Sequence, residues 1–137
     1  MDAEIEVTIY TDGSCEPNPG IAGWGAVLIH HASGARREAC GYIGEGTNNT
    51  AELVAAIRAR ELLKRPCHVR VCSDSQWLVR CATGEYGRHT HHQLWAQLED
   101  LTQRHVIEWR WIRGHAKHPE NEQAHKLANR GRTRRKI

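Results

Sequence analysis

The sequence predicts an α/β domain in which a five-stranded mixed sheet is flanked by helices, and three patterns predict it. Apolar and polar residues alternate near the N-terminus, as they do in half-buried strands. Helical periodicity dominates from residue 50 onward. Two further strand-like runs, at residues 69–73 and 106–112, interrupt the helical part, so strands come first and helices later with strands between them.

In chain order, Ile5, Val7 and Ile9 alternate with Glu4, Glu6, Thr8 and Tyr10, a strand expected to end at Asp12. Residues 15–23, rich in Pro and Gly, read as a turn region. Residues 24–31 and 37–43 read as two more strands joined by the Ser33-Gly34 turn, which gives an antiparallel meander of three, ended by Gly44 and Gly46. Residues 50–63 carry Leu53, Ala56, Ile57 and Leu63 on one side and predict a helix stopped by Pro66, with Glu52 in its first turn. A fourth strand at 69–73 follows this helical crossover and so runs parallel to its neighbour. A short helix is expected over 74–81. Thr90 and Gln93 form a capping box before Leu94, Trp95, Leu98 and Leu101. The fifth strand, 106–112, places Ile107, Trp109 and Trp111 on one face. His118-Pro119 then opens a last helix that ends at Gly131, with Asn121, His125 and Ala128 sharing a face.

At 137 residues the chain is long enough for one domain with a real core. The longest wholly apolar run near the N-terminus, residues 26–29, is far too short to span a bilayer, and the acidic start (Met1, Asp2, Ala3, Glu4) is unlike a signal peptide; a soluble cytoplasmic protein with no membrane partner is expected. Five cysteines, Cys15, Cys40, Cys67, Cys72 and Cys81, include no Cys-x-x-Cys pair, which fits neither a disulfide framework nor a zinc knuckle and suits a reducing compartment. Cys67, His68 and Cys72, or His89, His91 and His92, match no common structural zinc spacing. The formal charge of +3 hides an asymmetry: residues 110–137 carry nine Lys or Arg against Glu120 and Glu122, or +7, leaving −4 for the rest. An acidic body that can hold cations, joined to a basic end, suits a polyanionic substrate. The plain alternative is a solvated helix terminus.

Three acidic residues lie in distinctive contexts: Asp12 in Thr-Asp-Gly-Ser, Glu52 in Thr-Asn-Asn-Thr-Ala-Glu-Leu, and Asp74 in Ser-Asp-Ser-Gln. Asp12 and Asp74 each close an expected strand and Glu52 opens a helix, so folding can bring all three to one sheet edge. Carboxylates that converge in this way repel one another unless a cation neutralises them, which predicts a metal-binding cluster. Taken singly, an acid at a strand end or in a helix first turn is commonplace.

Five sequence words extend this picture: Tyr10-Thr-Asp-Gly-Ser-Cys15 with Asn18-Pro-Gly20, Thr47-Asn-Asn49 with Ala51-Glu-Leu53, Ser73-Asp-Ser-Gln76, Trp111-Ile-Arg-Gly-His115, and His118-Pro-Glu-Asn-Glu122. In this order, over nearly the whole chain, they resemble the type 1 ribonucleases H, the bacterial ribonuclease HI group. The resemblance implies the RNase H fold, with strands one to three antiparallel and strands four and five parallel to strand one. It implies an endonuclease that hydrolyses the RNA strand of RNA/DNA hybrids and leaves 5′-phosphate and 3′-hydroxyl ends. It also implies two divalent cations, Mg2+ or Mn2+, which in such sites lie about 3.5 to 4 Å apart, activate the attacking water and stabilise the departing oxyanion. Asp12 would bridge both ions, with Glu52 and Asp74 holding the one beside the leaving group. His115 takes the position of the family's mobile histidine, which shuttles a proton or assists product release. Cys15 (through its backbone), Asn18, Asn48, Asn49 and Gln76 are implied to sense the 2′-hydroxyl, which donates and accepts hydrogen bonds, and Thr47 to contact a DNA-strand phosphate. Asparagines in Gly/Pro-rich turns are otherwise ordinary turn residues. A catalytic domain over 1–131, a basic tail over 132–137 and a monomeric state complete the expectation.

Two departures from the family pattern matter. Between Cys81 and Gln93 the chain is short and has no Trp or Lys cluster, so the basic protrusion that grips hybrid in some bacterial members is not expected; Tyr86, Arg88 and the Arg-rich tail are partial substitutes. A separate N-terminal hybrid-binding module is not expected either. Second, the aspartate that normally follows three residues after the second glutamate of His-Pro-Glu-Asn-Glu is replaced by His125. His125 is expected to face the cluster one turn beyond Asn121, as a fourth metal ligand that favours manganese, as a holder of the attacking water, or as a helix residue with no chemical role. The replacement also motivates a rival reading, a hybrid-binding protein with impaired catalysis.

Overall fold

The computed structural model describes residues 4–114 and 118–134. Its central strand, β1 (Val7–Glu16), pairs antiparallel with β2 (Gly20–His30), and β2 pairs antiparallel with β3 (Arg36–Gly46). On its other side β1 pairs parallel with β4 (His68–Ser73), and β4 parallel with β5 (Val106–Trp111), so the sheet order is β3-β2-β1-β4-β5. Helix α1 (Asn48–Glu61) makes the crossover from β3 to β4, α2 (Gln76–Ala82) and α3 (His92–Thr102) lie between β4 and β5, and α4 (Pro119–Thr133) follows β5. The antiparallel meander and the parallel pairing after a helical crossover agree with the sequence reading. No helix among the described residues is long and apolar enough to cross a membrane.

Alternation along the strands sorts the sheet into two faces. Val7, Ile9, Ala26, Leu28, Val69 and Val71 form one apolar face, packed with Ala59 of α1. Leu53, Ile57, Leu78, Trp95 and Leu98 join α1, α2 and α3 into a second cluster, and Trp109 of β5 packs against both clusters. The opposite face, where Val27 is buried, is covered by Ala124 and Leu127 of α4.

Several boundaries differ from the sequence reading. β1 does not end at Asp12: the parallel ladder with β4 stops at the Thr11–Ser73 pair, but β2 keeps pairing β1 as far as Glu16, so the turn shrinks to residues 17–19. β3 continues through Gly44 and Gly46 because a bulge opposite Ala22 and Gly23, with Gly44 at φ +98°, absorbs an extra residue without ending the strand. Thr47 caps α1 by accepting a hydrogen bond from the Thr50 amide, so the helix starts at Asn48 and Glu52 stands in its second turn. The Thr90/Gln93 capping box does not form. The residue before α3 is His91, at φ +58° with no side-chain cap, its ring edge-on to Trp77, which also packs on Trp95. α4 runs past Gly131 to Thr133, and Gly131 serves close packing on β3, where a Cβ would come within 2.4 Å of the Gly41 carbonyl oxygen.

One cation lies inside the core. Arg60, in the last turn of α1, is 1% exposed; its guanidinium sits 4.6 Å from the Trp109 ring centroid and donates to Thr102 Oγ1 at 2.6 Å, while Nε and Nη2 have no hydrogen-bond partner. Burial pulls its pKa from 12.5 down to about 10, opposed by Glu99, because the charge is worse solvated folded than unfolded. Arg60→Leu removes that desolvation while Thr102 keeps its bond to the Leu98 carbonyl. Thermal unfolding of the variant should show a gain of about 1 kcal/mol, roughly 3 °C in Tm. A loss of that size would mean that stacking on Trp109 outweighs desolvation.

Candidate active site

Strand register builds the site. Thr11 and Ser73 are the last pair of the parallel β1–β4 ladder, so the next residues, Asp12 and Asp74, emerge side by side where the strands diverge. After Asp74 the chain bends into α2, whose cap Ser75 accepts from the Leu78 amide, and the Trp111 indole N–H donates to the Asp74 carbonyl at 3.1 Å and pins the bend. The third carboxylate arrives from α1. Glu52 Oε1 accepts from the Gly13 amide, and α1 lies so close to β1 that a Cβ on Gly13 would stand 2.6 Å from Ala51. Only glycine fits that approach.

One carboxylate oxygen from each of Asp12, Glu52 and Asp74 lies within 4.8 Å of the other two. Asp12 and Glu52 are 4% and 7% exposed. Burial, and then the charge of Asp74, pushes the Asp12 pKa up, while hydrogen bonds with Glu52 and His125 pull it back. Burial pushes Glu52 well above the usual carboxylate range, with Asp12 and Asp74 adding to the rise and the Gly13 amide opposing it. Without metal, both carboxyls therefore hold their protons to higher pH than a free carboxylate does, Glu52 more strongly than Asp12. A divalent cation relieves the same repulsion. The donor set suits one: three hard carboxylate groups beside a cavity of about 300 Å3 lined by Asp12, Asp74, Asn121, Glu122, His125 and Lys126.

The other residues singled out in the sequence fall into three groups. His125 faces the cluster one turn beyond Asn121, with Nδ1 2.8 Å from Asp12 Oδ2; it meets the cluster through Asp12 and is not one of the three groups in mutual ligand range. His115 lies outside the described residues. The remaining six lie around the turn between β1 and β2 and at two helix starts. Cys15 Sγ donates to the carbonyls of Pro17 and Gly46 at 3.4 Å, and Asn18 Oδ1 accepts from the Asn48 amide at 3.1 Å, so this turn and the start of α1 form one surface. Asn48 and Asn49 are exposed there beside the cap Thr47, and Gln76 is exposed at the start of α2, two residues from Asp74.

Sequence reasoning gave no role to Asn121, Ser14 or Asn129, and placed Arg132 only in the basic tail. Asn121 is 3% exposed and lines the cavity, with its Oδ1 lacking a hydrogen-bond partner. Ser14, Asn129 and Arg132 are linked to one another and to His125 by hydrogen bonds. The spacing of Asn129 four residues after His125 on one helix, and of Ser14 two residues after Asp12 on one strand, is the signal that points to them.

The family model for RNase H matches residues 4–133. The chain belongs to the RNase H family. It is 47% identical over 145 residues to the ribonuclease H of Thiobacillus denitrificans, covering 96% of this chain and 95% of that one. It is 42% identical over 139 residues to the ribonuclease HI of Caulobacter vibrioides, covering 92% of each. Among solved structures it is similar to LC11-RNase H1, isolated from compost and crystallised in complex with RNA/DNA hybrid, with a TM-score of 0.79 and 31% identity over 92% of this chain and 96% of that one. Full-length similarity to these bacterial proteins places the chain with the type 1 RNases H.

The raised pKa values of Asp12 and Glu52 give a sign to the pH dependence of stability. Both carboxyls hold their protons to higher pH folded than unfolded, so above the unfolded values near 4 the folded state binds more protons and stability falls as pH rises through that window. Glu52→Gln removes the larger contribution. In the presence of a chelator, the Tm of the wild type relative to Glu52→Gln should drop as pH rises from about 5 to 8, and saturating Mn2+ should reverse the difference. A pH-independent difference would mean that Glu52 holds no such proton.

Proposed function

We infer that this protein hydrolyses the RNA strand of RNA/DNA hybrids, and the observation that carries the inference is the trio of converging carboxylates, two of them buried, at the β1–β4 divergence of an RNase H sheet. Divalent ions held there, Mg2+ or Mn2+, supply the chemistry, activating water and stabilising charge on the leaving oxygen, to leave 5′-phosphate and 3′-hydroxyl ends. Asp12, Glu52 and Asp74 would hold these ions, with Asp12 the proposed bridging ligand. The Cys15 backbone, Asn18, Asn48, Asn49 and Gln76 are proposed to read the RNA 2′-hydroxyls. Thr47 caps α1, where a helix N-terminus favours a DNA-strand phosphate. His115 is the proposed proton shuttle or product-release group, and His125 the fourth member of the site.

The basic end, residues 132–137, is proposed to add phosphate contacts to the catalytic domain, with Arg132 set apart because it donates to Ser14 and approaches Glu16. A monomer in a reducing cytoplasm completes the reading, supported on the second point by five free cysteines. One observation favours the rival, a hybrid-binding protein with impaired catalysis: His125 stands where the family pattern has aspartate. A labelled RNA/DNA hybrid and an RNA duplex, each incubated with Mg2+ or Mn2+, separate the two. Cleavage of the hybrid's RNA strand supports hydrolysis; binding without cleavage under either metal supports the rival.

Asp12→Asn should abolish cleavage while hybrid binding survives. Turnover within about tenfold of wild type, a barrier change of about 1.4 kcal/mol, would contradict a bridging role. Replacing Arg134, Arg135 and Lys136 by serine should weaken hybrid binding and flatten log affinity against log salt by roughly 0.7 to 0.9 for each phosphate that is no longer neutralised. Turnover at saturating substrate should not change, and equal slopes would make these residues a solvated end.

A further inference from the structure

Helix α4 meets Asp12 through His125, and His125 is held from behind. Arg132 Nε donates to Ser14 Oγ at 3.0 Å, Ser14 Oγ donates to Asn129 Oδ1 at 2.5 Å, Asn129 Nδ2 lies 3.4 Å from His125 Nε2, and His125 Nδ1 lies 2.8 Å from Asp12 Oδ2. Residues 125, 129 and 132 share a helical face and residues 12 and 14 share a strand face, so the two elements present these side chains to each other in register.

Donor chemistry gives this row a direction. A guanidinium only donates, so Ser14 Oγ accepts from Arg132 and has one proton left to give. That proton goes to Asn129 Oδ1, which only accepts, and this turns the Asn129 amide nitrogen toward His125. An amide nitrogen only donates, so Nε2 accepts and the proton of the neutral ring sits on Nδ1, directed at the Asp12 carboxylate. The opposite amide orientation would leave the Ser14 hydroxyl proton without an acceptor in the row. It would also put either a bare Nδ1 lone pair against the carboxylate or a second proton on the ring.

We propose that Arg132, Ser14 and Asn129 set His125 in its Nδ1–H form, and that His125 is a positioning residue that holds Asp12 Oδ2 and is not itself a metal ligand. The inference rests on the hydrolytic reading above only for its consequence in catalysis; the hydrogen-bond direction stands on the geometry. In this arrangement the imidazole stands where the family pattern has a carboxylate and orients a ligand without becoming one. The Asn129 amide decides that outcome, because an acceptor in its place would draw the ring proton to Nε2 and leave Nδ1 available to a metal.

Long-range 1H–15N correlation spectra of the metal-free full-length protein at alkaline pH read the tautomer, with His125 assigned by its loss in His125→Gln. The expected result is a protonated Nδ1 and a bare Nε2. A proton on Nε2, alone or together with Nδ1, overturns the proposal. Asn129→Asp replaces the donor by an acceptor and should place a proton on Nε2; a spectrum unchanged from wild type overturns the role of Asn129. Should that variant fail to fold, Ser14→Ala frees the Asn129 amide to turn and should give a mixture of tautomers, and retention of the wild-type form overturns the role of Ser14. Pulsed EPR of the Mn2+-loaded protein with 15N-labelled histidine should show no directly coordinated nitrogen that disappears in His125→Gln; such a signal overturns the positioning role. The metal-free spectra need neither substrate nor turnover, so they can fail while hybrid cleavage stands, or hold while hybrid cleavage fails.

Discussion

Three carboxylates held within 4.8 Å of one another, two of them buried, are the constraint on which the rest of the site depends. Left to themselves they would separate, and the fold opposes this through paired strands, a capped bend and a closely packed helix. Asp12 is fixed between two paired strands, and Asp74 by the bend that Ser75 caps and Trp111 pins. Glu52 cannot swing away, because its neighbours Ala51 and Leu53 are fully buried and its helix lies against Gly13. Burial, and then this repulsion, therefore appear as raised pKa values of Asp12 and Glu52, and not as a displaced side chain.

The two faces of the sheet contribute differently. Helices on one side bring Glu52 and bury most of the apolar core, while α4 on the other brings His125 and Asn121. A fourth carboxylate at position 125 would add to the repulsion. The imidazole instead hydrogen-bonds Asp12 and lowers its pKa, which favours the ionised form that a cation needs.

Signals that act locally were legible in the sequence. The alternation of Val7 and Ile9 with Thr8 and Tyr10 gave the first strand, and the words around Asp12, Glu52 and Asp74 marked the three acids before any pairing was known. Features that depend on a distant partner were not legible. β1 continues past Asp12 because β2 still pairs it there. The start of α3 follows the packing of Trp77 on His91 and Trp95, which outweighs a well-formed local capping pattern. The burial of Arg60 depends on Trp109, a residue of another element far along the chain. Ser14 and Asn129 meet across 115 positions, a partnership that no short stretch of sequence contains.

Burial raises the affinity of Glu52 for a proton, and a divalent cation bound at the cluster should displace that proton. Calorimetric titration with Mn2+ in buffers of different ionisation enthalpy measures it directly, because the protons released on binding scale with the buffer's contribution to the heat. Wild type should release more protons per ion bound than Glu52→Gln, with the excess shrinking as pH rises through the raised pKa of Glu52. Equal proton release by the two proteins at every pH would contradict the account.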